Sequence, residues 1–242
     1  MEQQGPDVHV ASSKQSEATN RAELDKCLEV LKVAKSDPEK FAALLLVTKV
    51  IKAESTDAAI RKRIFDAVGF TFLSRLLSSS SVPDGCDSQM YKSLAMTLLA
   101  CFSTDPLLAA SPQMVNKLPQ IMECITMATS ASETESTARE DAYQVLVGIA
   151  STETGRKELL KDLRVNVLCD ICLKEGQGHD LALKVLLHLL HWSGQEMWQT
   201  NQHVLNQWIA TMATEFQQNQ VRNLSQHFYL NKMLSSFLTY NN

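Results

Sequence analysis

The stretch from Phe41 to Leu77 reads FAALLLVTKVIKAESTDAAIRKRIFDAVGFTFLSRLL, and it decides the fold class of the chain. Apolar residues recur there at the spacing of an amphipathic helix. Asp57 is suited to cap a second helix, and Gly69 is suited to end it before a short apolar helix over 70–77. We find no alternation of apolar and polar residues of the kind that a strand shows. The stretch therefore predicts three successive helices.

Pairs of residues that favour a helix start recur along the rest of the chain. These pairs are Asn20 with Glu23, Asp37 with Pro38, Asp105 with Pro106, Ser111 with Pro112, and Thr137 with Glu140. Later apolar stripes occupy 165–173, 181–190, 204–212 and 224–238, with Gly155, Gly176 and Gly194 as separators. We expect helices over 20–242, a flexible polar segment at 1–19, and a linker rich in Ser, Pro and Gly at 78–87 that joins two helices.

Weak internal repetition favours a stacked architecture. The segment LAMTLLACFS (94–103) aligns with AYQVLVGIAS (142–151), 48 residues later, and AYQVLV (142–147) aligns with ALKVLL (182–187), 40 residues later. This spacing is close to the roughly 40–47 residues of armadillo and HEAT repeats. Because one repeat cannot bury its apolar face alone, stacked repeats would form the core. We predict an all-α, armadillo/HEAT-like helical-repeat solenoid, an α-α superhelix with a concave surface for partners; an irregular helical bundle is the alternative.

Composition narrows the class of protein. The chain has 242 residues, 45% apolar and 21% charged, with a net charge of −4. The apolar and charged fractions are typical of a globular protein. The negative net charge does not favour binding to nucleic acid. The N-terminus, MEQQGPDVHV, lacks a secretory signal, and the apolar run at 41–47 is shorter than the roughly 20 residues of a membrane span. We expect a cytoplasmic protein without direct membrane insertion, whose six cysteines are reduced.

Motifs that carry catalysis are missing, since the sequence has no GxGxxG, GxxxxGK[ST], GxSxG or HExxH. We expect no enzymatic activity and no cofactor. Cys169 and Cys172 form a CxxC, but no second pair completes a zinc site, and their apolar stripe favours core packing over metal or redox chemistry. His188 and His191 lie one helical turn apart near His179, and no carboxylate or cysteine completes a metal site. We expect these histidines on a helix face and no bound metal.

Three tryptophans, Trp192, Trp198 and Trp208, cluster in the last third of the chain. Aromatic residues on helical spacing usually belong to the core, so we expect them to be buried. A partner-binding role would require at least one exposed indole ring.

One cluster of cations is the strongest candidate for a binding site. We call it the basic group, and it comprises Lys49, Lys52, Arg61, Lys62 and Arg63. Three consecutive cations cover a wide arc of a helix, which suits contact with an acidic protein surface or a phosphate. An ordinary solvated helix face is the alternative.

Five blocks of the sequence carry a resemblance to a known family: FAALLLVTK (41–49), RKRIFDAVGFTF (61–72), PDGC (83–86), LLACF (98–102), and DP with LAA within 105–110. They resemble the N-terminal region of neurochondrins. The resemblance implies an armadillo-like helical architecture and the N-terminal portion, or a short form, of a longer protein. It also implies a non-enzymatic neuronal adaptor that promotes neurite outgrowth and synaptic signalling. Such a protein would negatively regulate phosphorylation by calcium/calmodulin-dependent kinase II and bind cytoplasmic parts of G-protein-coupled receptors, including a metabotropic glutamate receptor.

The resemblance places the protein in neuronal cell bodies, dendrites and the postsynapse. Members of the family can begin with a cysteine pair suited to palmitoylation, whereas this chain begins MEQQGPDV and has its first cysteine at Cys27. Lipid anchoring by that route is therefore not expected. The alternative function is structural: an end segment of a longer helical-repeat scaffold with no independent partner.

Overall fold

The computed structural model describes residues 22–53, 57–78, 88–126, 133–172 and 179–218, and all regular structure in these ranges is helical. The helices are α1 (22–33), α2 (Asp37–Ala53), α3 (Ala58–Leu77), α4 (Ser88–Ser103), α5 (Pro106–Ala109), α6 (Pro112–Val115), α7 (Leu118–Thr126), α8 (Glu133–Ala150), α9 (Glu153–Leu159), α10 (Arg164–Cys172) and α11 (His179–Gln218). The predicted all-α helical-repeat class is confirmed. The 1–19 segment, Asn20, most of the 78–87 linker, Gly176 and the 224–238 stripe lie outside the described residues.

The chain divides into two compact units, Met1–Cys101 and Phe102–Asn242, so the boundary falls near the end of α4. In the first unit, the rings of Phe41 and Tyr91 stack with centroids 4.0 Å apart, and α1 to α4 all contribute buried apolar side chains. In the second unit, α8 packs against α7, α9 and α11, and α10 packs against α11. Each unit therefore buries its own apolar core.

Three predicted helix starts carry the caps that the sequence indicates. The Asp57 carboxylate accepts a hydrogen bond from the amide of Ile60 at 2.7 Å. Asp105 caps α5 and Ser111 caps α6, and each is followed by a proline in the first turn. Proline fits there because an amide in the first turn has no partner within the helix. These caps fix the beginnings of α3 and of two very short helices.

One predicted helix start is wrong, and one more is confirmed. Helix α8 begins at Glu133, so Thr137 lies inside it and does not start it. Helix α2 begins at Asp37, at the predicted Asp37-Pro38 pair, and the hydroxyl of Ser36 accepts the amide of Glu39 at 3.5 Å.

Helix α3 bends at Gly69, as the sequence predicts. The backbone there has φ 65° and ψ 169°, a conformation that only glycine adopts without strain. Helix α11 also bends, at Ser193 (φ −140°, ψ 31°) and at Asn201 (φ −125°, ψ 21°). These two residues divide α11 into three segments, and Gly194 follows the first bend.

Gly155 does not separate helices, contrary to the prediction. It is buried inside α9, where its amide donates to the Thr152 hydroxyl at 3.1 Å. A Cβ on Gly155 would lie 2.1 Å from the carbonyl oxygen of Ile149 and 2.5 Å from its Cγ2. Only glycine allows α9 to lie this close to the end of α8.

The repeat that the sequence suggests is present in the second unit. Helices α7 and α8 are followed by α10 and α11, and each later helix begins 46 residues after its counterpart (164 against 118, and 179 against 133). The core positions of α8 and α11 are 40 residues apart, as the sequence alignment has them, because α8 begins nine residues before Ala142 and α11 begins three residues before Ala182. Residues 142–150 and 182–190 match position by position in whether each residue is buried, half-buried or exposed. Buried positions pair as Ala142 with Ala182, Tyr143 with Leu183, Val145 with Val185, Leu146 with Leu186, Ile149 with Leu189, and Ala150 with Leu190. The two helices therefore use the same face for the core.

Replacing Gly155 by alanine should destabilise the protein, because the new methyl group would overlap the backbone of Ile149. We expect a loss of about 1–3 kcal/mol in the free energy of unfolding, the range of overpacked cores. Urea unfolding followed by circular dichroism measures it. The neighbouring, exposed Thr154→Ala serves as the matched control and should change stability by less than about 0.5 kcal/mol. Equal stability of the two variants would contradict the close approach of α9 and α8.

Candidate functional site

The structure places the basic group on α2 and on the first turns of α3. Lys49 is exposed on α2, and Lys52 lies in the last turns of the same helix, with its side chain outside the described part. On α3, Arg61 is half-buried, whereas Lys62 and Arg63 are exposed. Successive helical residues differ in direction by about 100°, so the three consecutive cations do not point the same way. Within the basic group, Lys49, Lys62 and Arg63 are the members whose side chains are described and exposed.

Two members of the basic group are paired with carboxylates. The Lys62 Nζ lies 3.3 Å from Asp66 Oδ2, one turn further along α3. An Arg63 Nη lies 2.5 Å from Asp25 Oδ1, which ties α3 to α1. All four side chains are more than half exposed. Ion pairs at such exposed positions contribute only about 0.2–1 kcal/mol, so both cations can exchange their partner at low cost.

A second pair of cations, which the sequence did not single out as a pair, lies over the ring of Phe72. The Lys40 Nζ is 5.7 Å from the ring centroid, and the Arg75 guanidinium carbon is 5.1 Å from it. Arg75 follows Phe72 by three residues on α3, so helical spacing could have indicated that contact. Lys40 comes from α2, and no pattern within one helix reveals its position.

The CxxC cysteines are core residues. Cys169 and Cys172 on α10 are both buried. Burial, with a smaller contribution from the charge of Asp170, raises the pKa of Cys169 to about 12. Burial also raises the pKa of Cys172, and it raises the pKa of the neighbouring Tyr143 to about 12. Thiols in such surroundings carry almost no thiolate at neutral pH and are poor nucleophiles.

The three histidines occupy different surroundings. His188 is half-buried, His191 is exposed, and the side chain of His179 lies outside the described part. Within the ranges that the structure describes, no group of three or more His, Cys, Asp and Glu side chains could hold a metal ion. None of the described helices is long and apolar enough to cross a membrane.

The prediction that the tryptophans are buried is correct for Trp208 and wrong for Trp192. Trp208 is 1% exposed and Trp198 is half-buried, whereas Trp192 is 60% exposed. The difference has a local cause: α11 bends at Ser193, so Trp192 is the last residue before the bend. The helical turn after the bend therefore does not continue the apolar stripe to which Trp192 belongs.

Arg156 holds the ring of Trp192 in place. Its guanidinium carbon lies 5.5 Å from the indole centroid, within the range of a cation–π interaction. Its Nε donates to the Ser193 hydroxyl at 3.2 Å, and one Nη donates to the carbonyl of Ala150 at 3.2 Å. The ring of His191 meets the indole edge to face, with centroids 4.8 Å apart. We refer to this arrangement as the Trp192–Arg156 pair.

Comparisons with known proteins identify relatives across most of the chain. The family model described as Neurochondrin matches residues 18–242. Neurochondrin of Xenopus laevis is 43% identical over 206 residues, which are 85% of this chain and 29% of the relative. Neurochondrin of Homo sapiens is 41% identical over 209 residues (83% and 28%), and the neurochondrin homolog of Drosophila melanogaster is 35% identical over 189 residues (76% and 26%). The chain thus spans less than a third of the length of these relatives.

A solved structure shares the fold. The crystal structure of an engineered protein superposes with a TM-score of 0.61 over 90% of this chain and 80% of the other chain. The sequence identity is 15%, so this likeness concerns the fold alone.

Cys169 and Cys172 should resist alkylation in the native protein. Because burial raises the pKa of Cys169 to about 12, the thiolate fraction at pH 8 is about 10⁻⁴. Iodoacetamide treatment at pH 8 followed by mass spectrometry should show both residues unmodified in buffer and alkylated in denaturant. The half-buried Cys124 provides an internal comparison. Equal rates for Cys169 in the native and denatured protein would contradict its place in the core.

Proposed function

The chain belongs to the neurochondrin family, and from this membership we propose that it acts as a non-enzymatic signalling adaptor in neurons. It restrains phosphorylation by calcium/calmodulin-dependent kinase II and binds cytoplasmic segments of G-protein-coupled receptors, such as a metabotropic glutamate receptor. Through these contacts it promotes neurite outgrowth and synaptic signalling. It acts in the cytoplasm of the cell body, the dendrites and the postsynapse.

The exposed cations of α2 and α3 are the observation that supports a binding role for this part of the chain. Lys49, Lys62 and Arg63 are all exposed, and they lie in two of the blocks that resemble the family, 41–49 and 61–72. Such cations can contact acidic residues on a kinase or on a receptor segment. Inhibition is steric in this proposal: the chain covers a docking or regulatory surface, and no bond is made or broken.

The intramolecular ion pairs favour exchange over a fixed structural role. Lys62 and Arg63 each hold one exposed carboxylate, and each pair contributes about 0.2–1 kcal/mol. An acidic partner that offers two or more carboxylates replaces these contacts without leaving a buried charge unpaired. The basic group therefore changes partner at little cost to the fold.

A structural role is the second candidate. The chain spans 26–29% of the length of the relatives described above, so these helices could serve to extend a longer helical array. In that case the exposed cations form an ordinary solvated surface and have no partner of their own.

Purified chain should inhibit autophosphorylation of calcium/calmodulin-dependent kinase II, and reversing the exposed cations should remove that inhibition. The test variant is Lys49→Glu, Lys62→Glu and Arg63→Glu combined, which spares the half-buried Arg61. The matched control reverses three exposed cations of the second unit: Lys157→Glu, Lys161→Glu and Lys184→Glu. Both triple variants change the net charge equally. We expect the inhibitory concentration to rise at least about 10-fold in the test variant only, since each lost contact contributes about 0.5–1 kcal/mol.

Circular dichroism first establishes that both triple variants keep the native helix content. Equal effects of the two variants would assign the inhibition to overall charge and not to the basic group. No inhibition by the unmodified chain at any concentration would favour the structural role.

Removing the intramolecular partner of Arg63 should have the opposite effect. Asp25→Asn keeps the size of the side chain and frees the guanidinium from its ion pair with α1. We expect inhibition at a roughly two- to fivefold lower concentration of the chain. Arg63 then no longer has to release the Asp25 carboxylate before it binds a carboxylate of the kinase. Glu29→Gln, which loses the Lys32 pair on the same helix, is the matched control and should leave inhibition unchanged. Weaker inhibition by Asp25→Asn would show that the Asp25–Arg63 pair shapes the site.

A further inference from the structure

Trp192 combines exposure with rigidity, which is unusual for a large apolar side chain at a surface. It is 60% exposed, yet Arg156 covers one face of its ring and His191 meets it edge to face. A side chain that is already fixed loses little rotational freedom when a partner covers it. Tryptophan and arginine are also enriched among the residues that dominate binding energy at protein interfaces.

Arg156 is a half-buried cation without a carboxylate partner among the described residues. Its Nε and one Nη are used by Ser193 and by the carbonyl of Ala150. Nearby carboxylates pair with other cations: Glu153 with Lys157 at 2.7 Å, Glu158 with Lys161 at 2.6 Å, and Asp162 with Arg164 at 2.8 Å. The pKa of Glu153 is lowered mainly by its hydrogen bond to Lys157, and the charge of Arg156 is the smallest cause. Arg156 therefore makes no direct ion pair with a carboxylate of the described residues.

The surrounding charges favour a singly charged acid over a phosphate. Glu153 and Lys157 lie on the helix of Arg156, and the charge of Glu196 on α11 acts on Lys157. Together these three neighbours carry one net negative charge at pH 7. With Arg156 included, the four charges cancel, so no excess positive charge is present to hold a doubly charged phosphate. A single carboxylate can still pair directly with the Arg156 guanidinium.

From these observations we propose that the Trp192–Arg156 pair is a docking site for an acidic peptide segment of another protein. The segment carries an aspartate or glutamate next to a large apolar residue. Its carboxylate binds the guanidinium edge that Ser193 and Ala150 leave free, and its apolar side chain covers the open face of the indole. This site lies in the second unit and shares no residue with the basic group, so it stands independently of the kinase proposal.

Selection from a library of short random peptides displayed on phage tests the site. The target is the purified 1–242 chain. We expect the enriched peptides to contain Asp or Glu within two positions of Leu, Ile, Phe or Trp. Synthetic copies of these peptides should bind Trp192→Ala about 30-fold more weakly, the loss expected for a dominant contact. Leu107→Ala is the matched control: it truncates another apolar side chain of the second unit, 84% exposed, and should bind normally.

The role of Arg156 is tested on the peptide, because Arg156 also supports the fold. Replacing the acidic residue of the peptide by its amide should weaken binding about 10-fold. If Trp192→Ala fails to fold, Trp192→Leu keeps an apolar side chain at the position and serves in its place. The proposal is overturned if no acidic and apolar motif is enriched, if binding survives loss of the indole, or if the amide peptide binds as well as the acid.

Discussion

The structure depends on one constraint: each long helix is apolar on one face and needs neighbouring helices to bury that face. Residues 142–150 of α8 and 182–190 of α11 meet this constraint with the same order of buried and exposed positions. Full burial of one Leu or Val side chain contributes about 1.5–3 kcal/mol to the stability of the fold. The buried face that the two helices share therefore stabilises the protein more than any single surface contact does. Gly148 shows how close the packing is, since a Cβ there would lie 2.4 Å from the carbonyl oxygen of Ser103.

Local chemistry made much of the fold predictable from sequence. Asp57, Asp105 and Ser111 cap helices as predicted, because each cap depends on residues within three positions along the chain. Gly69 likewise marks a bend through its own backbone conformation. The errors have a different origin. Gly155 resembles a separator in the sequence, but its role is set by the close approach of Ile149 on the preceding helix, and α9 continues through it. Thr137 begins a plausible capping box, yet the helix had already begun at Glu133.

The candidate sites were less predictable, because exposure and pairing depend on distant residues. The sequence located the basic group, but it could not show that Arg63 pairs with Asp25 on α1 or that Arg61 is half-buried. Nor could it separate Trp192 from Trp208, since both continue apolar stripes at helical spacing. The bend at Ser193 decides that difference; Gly194 marks a break at this point in the sequence, but it does not show which neighbouring side chain becomes exposed. The partner of Trp192, Arg156, lies on another helix, where its neighbours suggest an ordinary polar surface.

The position of Arg156 explains why an exposed indole is stable here. Ala150 is the last residue of α8, and its carbonyl has no amide partner within the helix. Arg156 donates to that carbonyl from α9 and to the Ser193 hydroxyl at the bend of α11, so one side chain links three helices. The guanidinium plane that makes these two hydrogen bonds also lies over the indole ring. Because the same atoms support the helix junction and the ring of Trp192, the exposed surface is held by the packing of the second unit. A lysine at this position could not make the same contacts, since its single ammonium group lacks the planar fork of arginine.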